Sequence, residues 1–480
     1  MTRTSLMSAS RFLLLAAVAC GLGAAEPGSK LRLEHFDKDP HWDGHNNRLG
    51  ENNPVTVRQD FGYAAESPFH APAIGGLVTT AAAPAYYAKK LPARTLSDAL
   101  SVSGKIIVPK GGPNILIGFF NDGTLNEWRT PNTIALRVDG RGDYFYAYLE
   151  YCTAKWRAGG VFPSKKPGAQ HFEFPSGDTP HNWTLRYDPA TRTISGSMDD
   201  QVLSAKVRHD HAADGLTVNH CGILNCLKSD NNHRGSVWIA DLNLDGQPQT
   251  LDHDPEWHAF NNRRTYEGHD VRPRFNFGYS PTHFAGGAAA GEMGGIVFRG
   301  DERFPERMAY YGDRLETLTL DQPLEASGRV VLLRGVTDSA TYLGFFHSKE
   351  SIRPGTAQQQ GAPYDFLGAV IEGPSAEGFF FYPSYSTDVE GEKGSAKGSR
   401  LPRIYPDGKS HAWSLKYDPE GADGSGRIAL KFDGQTCELV LKAGARKVGA
   451  HFDRFGIVTT RVDGNEETIY FDDLTYTARK

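Results

Sequence analysis

Apolar and polar residues alternate with a period of two along much of this chain. The clearest run is Tyr144-Phe145-Tyr146-Ala147-Tyr148-Leu149-Glu150-Tyr151, whose successive side chains fall on opposite faces of a strand. Comparable short runs, rich in β-branched and aromatic residues, cover 103–108, 115–119, 133–138, 181–187, 193–198 and 237–244. Turn signals such as Asp122-Gly123 and Asp139-Gly140-Arg141-Gly142 separate them. No useful length of chain carries the 3.6-residue period of an amphipathic helix. The pattern predicts an all-β protein built from antiparallel two-sheet sandwiches.

The pattern also occurs twice. Asp39-Pro40-His41-Trp42-Asp43-Gly44-His45-Asn46-Asn47-Arg48 returns as Asp254-Pro255-Glu256-Trp257-His258-Ala259-Phe260-Asn261-Asn262-Arg263. Tyr86-Tyr87 then matches Tyr310-Tyr311, Gly118-Phe119-Phe120 matches Gly344-Phe345-Phe346, and Gly222-Ile223 matches Gly456-Ile457. The order is kept throughout. The 480 residues therefore divide into two tandem domains, expected at 31–246 and 251–480 after a leader at 1–25, with a short linker near 246–250. Within each opener, Trp42 and Trp257 are expected at a core edge, with the Asn and Arg side chains satisfying loop backbone.

Near the end of each copy His181-x-Trp183-x-Leu185-x-Tyr187-Asp188-Pro189 matches His411-x-Trp413-x-Leu415-x-Tyr417-Asp418-Pro419. With Arg427 to Gly434 and the closing Ile469-Tyr470-Phe471-Asp472-Asp473-Leu474, this strand resembles the concanavalin A-like lectin/glucanase superfamily and is similar to laminin-G-like domains. The resemblance implies two jelly-roll sandwiches and a concave sheet face suited to a sugar chain. The E-x-D-x-x-E strand of the family-16 glucanases is absent from both copies. Retaining hydrolysis needs two carboxyls about 5 Å apart, so a glucanase is disfavoured.

Composition narrows the class further. Glycine (53) and proline (28) are plentiful and methionine (5) is scarce, as suits a turn-rich β protein. A formal charge of −5 gives no electrostatic grip on nucleic acid. Arg3, Arg11, the apolar run from Phe12 to Val18 and Gly23-Ala24-Ala25 read as a signal peptide, with lipidation at Cys20 as an alternative. No stretch is long enough for a transmembrane helix. The expected location is secreted or periplasmic, and the oxidising compartment permits at most one bridge among Cys152, Cys221, Cys226 and Cys437.

Candidate chemistry lies where the copies differ. In the first, Trp128, Arg129, Arg137, Tyr146, Tyr148, Trp156 and Arg157 combine aromatic faces with cations, as binding an acidic glycan requires. Tyr144, Tyr146, Tyr148 and Glu150 should share one face, with Tyr146 and Tyr148 lining an open cleft. In the second, a glycine-rich loop brings His283 and Glu292, an acid/base combination that Tyr311 and His347 complete as catalytic candidates, with Arg299 and Arg307 as substrate-binding candidates. A lyase would use an arginine to neutralise a uronate and a His or Tyr as base. No metal ligand set or cofactor is expected, except a structural calcium at Asp241 and Asp473. The leading expectation is a secreted protein that binds extracellular or cell-envelope polysaccharide. A polysaccharide lyase, or an envelope protein–protein interaction module, is the alternative.

Overall fold

Strand alternation is realised through most of the chain. A computed structural model describes residues 30–50, 55–126, 129–162, 172–228, 233–268, 274–356, 361–374, 376–389, 393–396 and 401–478. The leader and Cys20 therefore lie outside the described residues. The first sandwich packs a back sheet against a front sheet. In the back sheet Leu100–Ile107 lies between His181–Asp188 and Arg234–Leu244, and Ala73–Thr79 and Val55–Ala64 follow towards one edge. The front sheet runs Ala158–Val161, Tyr144–Cys152, Thr133–Gly140, Asn114–Phe120, Thr217–Asn225 and Tyr86–Thr95. Their facing sides supply one apolar core containing Val102, Ile106, Trp183, Leu185 and Ile239 from the back and Ile117, Phe119, Leu136, Leu149 and Ile223 from the front.

The second sandwich repeats this plan. Its back sheet centres on Glu466–Ala478, Leu324–Gly335 and Ser410–Asp418. Its front sheet is built on Tyr310–Thr319, His451–Val458, Ser339–Phe346, Phe366–Gly373 and Phe380–Ser386. Trp413 enters this second core as Trp183 enters the first. None of the four described cysteines is in a disulfide: the Arg137 guanidinium donates to Cys226 Sγ at 3.0 Å, and Cys221 is buried between the sheets.

The openers pack on the sandwich of the other repeat. Lys30–Glu34 pairs with Glu466–Ala478, and Asp43–His45 pairs with Tyr310–Thr319. His258–Phe260 pairs with Tyr86–Thr95, and Arg263–Gly268 with Val55–Ala64. The repeated Asn-Asn-Arg provides the clamp. Asn47 Nδ2 donates to Phe277 O (2.6 Å) and Arg48 to Tyr279 O (2.7 Å); Asn262 Nδ2 donates to Phe61 O and Arg263 to Tyr63 O, both at 2.5 Å. Both tryptophans stack beside the matching tyrosine, Trp42 at 5.8 Å from Tyr311 and Trp257 at 6.0 Å from Tyr87. By strand pairing the first sandwich is thus 55–268, and the second is 276–478 closed by 30–49. The expected boundary near 246–250 is displaced. There Gln247–Pro248 is instead a short strand paired with Arg234–Leu244.

A second contact joins the sandwiches. Trp156 packs against the second core, at 6.2 Å from Phe379 and 6.3 Å from Tyr405. Beside it Arg157 and Glu377 form a backbone bridge, and Ala158 N donates to Ala376 O at 3.0 Å. The Arg157 guanidinium is held by Asp214 at 2.5 and 2.8 Å and by Asp210 at 3.0 Å. These two residues, expected at a sugar site, are spent on holding the sandwiches together.

Candidate functional site

The outward side of the first front sheet carries the side chains expected there. Phe145, Ala147 and Leu149 enter the core, while Tyr144 and Tyr146 are half-exposed on the other face with rings 5.4 Å apart. Arg137, on the neighbouring strand, knits this face. It donates to Asn114 Oδ1 (2.9 Å) and Glu150 Oε2 (3.5 Å) and lies 5.6 Å from the Tyr148 ring. Arg129 reaches the same carboxylate at 3.2 Å. Trp128 lies outside the described residues. The expected open cleft is not found around Tyr148, which is only 7 % exposed and meets the Phe162 ring at 5.9 Å. The middle of the face is closed as well, since Tyr86, Leu116, Phe120 and Leu224 form a buried apolar cluster with Leu125 laid over it. A sheet with two apolar faces must cover the second one, and here a loop covers it.

On the second sandwich the catalytic candidates are dispersed. Both Glu292 oxygens are occupied by its own loop: Thr282 Oγ1 (2.5 Å), Phe284 N (2.9 Å) and Ala285 N (2.7 Å) all donate to it. It is fully buried and acts as a loop clamp, in place of an acid/base pair with the exposed His283. Tyr311 lies between the sheets, where burial pushes its phenol up to about 12. His347 Nδ1 accepts from the backbone of Lys349 and Glu350, both at 3.2 Å, and so caps a short turn. Arg307 stands 3.9 Å from Asp301 and 4.6 Å from the Phe304 ring. Arg299 goes elsewhere, pairing with Glu372 at 3.1 Å in a buried network where Tyr382 donates to the same carboxylate. In that network burial pushes the Glu467 carboxyl up to about 8. No shared cleft gathers these groups.

Solvent reaches the first front sheet at its other edge, where the crossing segment lies. An open hollow of about 750 Å³ is lined there by Lys90, Gln249, Thr250, Glu256, Trp257 and His258. Lys90 is exposed and, among the described residues, has no ion-pair partner. His258 stands on the crossing strand and His220 on the front sheet, so register brings two residues 38 apart in sequence to 2.8 Å, His220 Nε2 to His258 Nδ1. Asn219 Oδ1 lies 2.7 Å from His220 Nδ1, and its amide donates to Asp122 Oδ1 at 2.7 Å. Tyr86 OH is 3.3 Å from His258 Nδ1. Burial lowers the His220 pKa, with Asp122 opposing, so its ring is biased towards the neutral form.

The matching positions on the second sandwich carry different chemistry. Arg454 takes the place of His220 and Asp43 that of His258, and they form an ion pair at 2.7 Å. Ser348 takes the place of Asp122, and its backbone N donates to Asp453 Oδ1 at 2.7 Å, as Asp122 N donates to Asn219 Oδ1 at 3.1 Å. The scaffold bond is kept while the side chains are exchanged. Reading the residues one copy at a time missed this cluster; the signal lay in setting His220 and His258 against Arg454 and Asp43. The expected calcium carboxylates have protein partners, Asp241 with Lys105 at 2.8 Å and Asp473 with His35 at 2.6 Å.

No protein-family model and no curated protein matches the sequence. Among solved structures, the mouse laminin alpha1 chain domains LG4-5 share 12 % identity over 89 % of this chain and 91 % of that one, with a TM-score of 0.24. The endo-beta-1,4-glucuronan lyase from the fungus Trichoderma reesei shares 12 % identity over 48 % of this chain and 99 % of its own, with a TM-score of 0.25. Peanut lectin shares 14 % identity over 42 % and 97 %, with a TM-score of 0.22. Likeness at this level leaves substrate and reaction to the geometry of the site.

Proposed function

We propose that this protein binds an acidic polysaccharide outside the cytoplasm, and that the hollow beside the crossing segment holds it. The observation that carries the reading is Lys90. It is an exposed cation without an ion pair, set in a hollow that also offers the Trp257 ring and the polar side chains of Gln249, Thr250 and His258. An unpaired ammonium suits a uronate or sulfate, an aromatic ring suits a pyranose face, and amide and hydroxyl groups suit sugar hydroxyls. Binding is favoured over a lyase because Tyr311, the tyrosine among the catalytic candidates, lies between the sheets, where burial raises its pKa.

The test is a glycan array of uronate-containing, sulfated and neutral chains, probed with the intact protein and with Lys90→Ala. Acidic glycans should be retained, and the variant should bind at least about tenfold more weakly with an unchanged melting temperature, since losing one charge contact costs about 1.4 kcal/mol. Binding to no glycan would remove the proposal, and equal binding by Lys90→Ala would remove the site. An absorbance assay for unsaturated uronate products on the bound glycans separates a binder from a lyase.

A further inference from the structure

Asp122, His220 and His258 offer one nitrogen or oxygen donor each, and these three atoms lie within 4.8 Å of one another. We propose that they bind a single divalent transition-metal ion of the zinc class, with a fourth position left for water or a ligand in the adjoining hollow. This goes beyond the polysaccharide reading and does not depend on it.

The donor types decide the kind of ion. Two imidazoles and a carboxylate suit zinc and its neighbours, whereas calcium takes six or more oxygens. The spacing is close to what is needed. Two nitrogens about 2.0–2.1 Å from a tetrahedral zinc stand roughly 3.3 Å apart. His220 Nε2 and His258 Nδ1 are 2.8 Å apart, so a small opening of the rings admits the ion. His258 sits on a three-residue edge strand, where such a shift disturbs little.

The surroundings fix the ligands as metal sites require. Asn219 Oδ1 accepts a hydrogen bond from the His220 Nδ1–H, which turns the lone pair of Nε2 towards His258. The same amide donates to Asp122 Oδ1, and among the described residues Asp122 Oδ2 makes no hydrogen bond. The second sandwich supplies the contrast. At the matching places Arg454 and Asp43 neutralise one another at 2.7 Å and need no ion. The first sandwich has imidazoles at both of these places and a carboxylate beside them. That set has donors but no cation of its own among the three. A bound ion would also tie the crossing strand His258–Phe260 to Thr217–Asn225, so metal binding and the stability of the first sandwich are coupled.

The experiment is calorimetric titration of the chelator-treated full-length chain with zinc sulfate, with calcium chloride as the control, beside the His220→Gln/His258→Gln pair and Asp122→Asn. Glutamine keeps a polar side chain, and circular dichroism of each apo variant confirms its fold. The expected result is one zinc per chain, no calcium heat, a raised melting temperature, at least about 100-fold weaker binding by the double variant and an intermediate loss for Asp122→Asn. Cobalt should give the visible absorption of a tetrahedral site in the parent only. Failure of the parent to bind zinc overturns the proposal. So does unchanged binding by the folded double variant, which would move the ion to others of the 17 histidines.

Discussion

One register position, met twice, separates the two sandwiches. Where the crossing strand lies against its front sheet, the second sandwich sets Arg454 against Asp43, and the first sets His220 against His258. The charged pair sits in a wider ion-pair network with Arg314 and Asp453. The imidazole pair is lodged beside a turn carboxylate and opens on a hollow. The two copies share the backbone contacts of this corner and differ in the side chains set on it. What distinguishes the copies is therefore the chemistry laid on a common scaffold, and the first sandwich is where it points outward.

The comparison is broken most severely through the crossing itself. Phe36 is fully buried in the second core although it precedes the first repeat's strands. Phe36→Ala should cost about 3–5 kcal/mol. Hydrogen exchange should accelerate in Glu292–Phe298 and Glu466–Ala478 and stay unchanged in the first sandwich; the reverse pattern would deny the crossing. The next effect is one of pH. Glu467, at about 8, with Asp365 and Asp472, both at about 6, are the described carboxyls with raised values, and all belong to the second sandwich. Burial is the largest cause in each. A raised carboxyl binds its proton more tightly when folded, so its contribution is present below the unfolded value and is lost as pH rises through the folded one. The stability of the second sandwich should therefore fall between about pH 4 and 8, by several kcal/mol with Glu467 the largest contributor, and Glu467→Gln should flatten the upper part of the fall.

Smaller effects sharpen the contrast. Tyr148 and Tyr382 occupy matching places on the two front sheets. Tyr382 donates to Glu372, whereas the Tyr148 hydroxyl makes no hydrogen bond among the described residues. Tyr382→Phe should cost about 1–2 kcal/mol and Tyr148→Phe less than about 0.5 kcal/mol in thermal unfolding. The transplant His220→Arg with His258→Asp rebuilds the second sandwich's pair in the first. The double variant should stay within about 1 kcal/mol of the parent while each single variant loses more. Additive losses would show that the two corners are not equivalent.

The all-β class, the duplication and the facing of Tyr144–Cys152 were legible because each is written in local spacing. Phe145, Ala147 and Leu149 entered the core as alternation requires. The exposure of Tyr148 was not legible, since the covering ring of Phe162 comes from another part of the chain. Nor was the crossing. An opener packed on its own repeat and one packed on its neighbour present the same residues to equivalent partners, so recurrence alone cannot tell them apart. Glu292 shows a third limit. A glycine-rich loop with a carboxylate fits a reactive site and a loop clamp equally well until its hydrogen bonds are seen.

Synthesis from the N-terminus gives the crossing a temporal meaning. The first sandwich has all its strands once residue 268 has emerged. The second does not: Lys30, among its earliest residues to be made, lies opposite Ala478. At about 5–20 residues per second the early segment waits on the order of half a minute for its partner. Throughout that wait the nascent chain carries a strand without a sheet, and at the end a sheet without its last strand. The same segment from a neighbouring molecule satisfies that edge equally well. Dilute refolding should therefore close each chain on itself, and concentrated refolding should link chains head to tail.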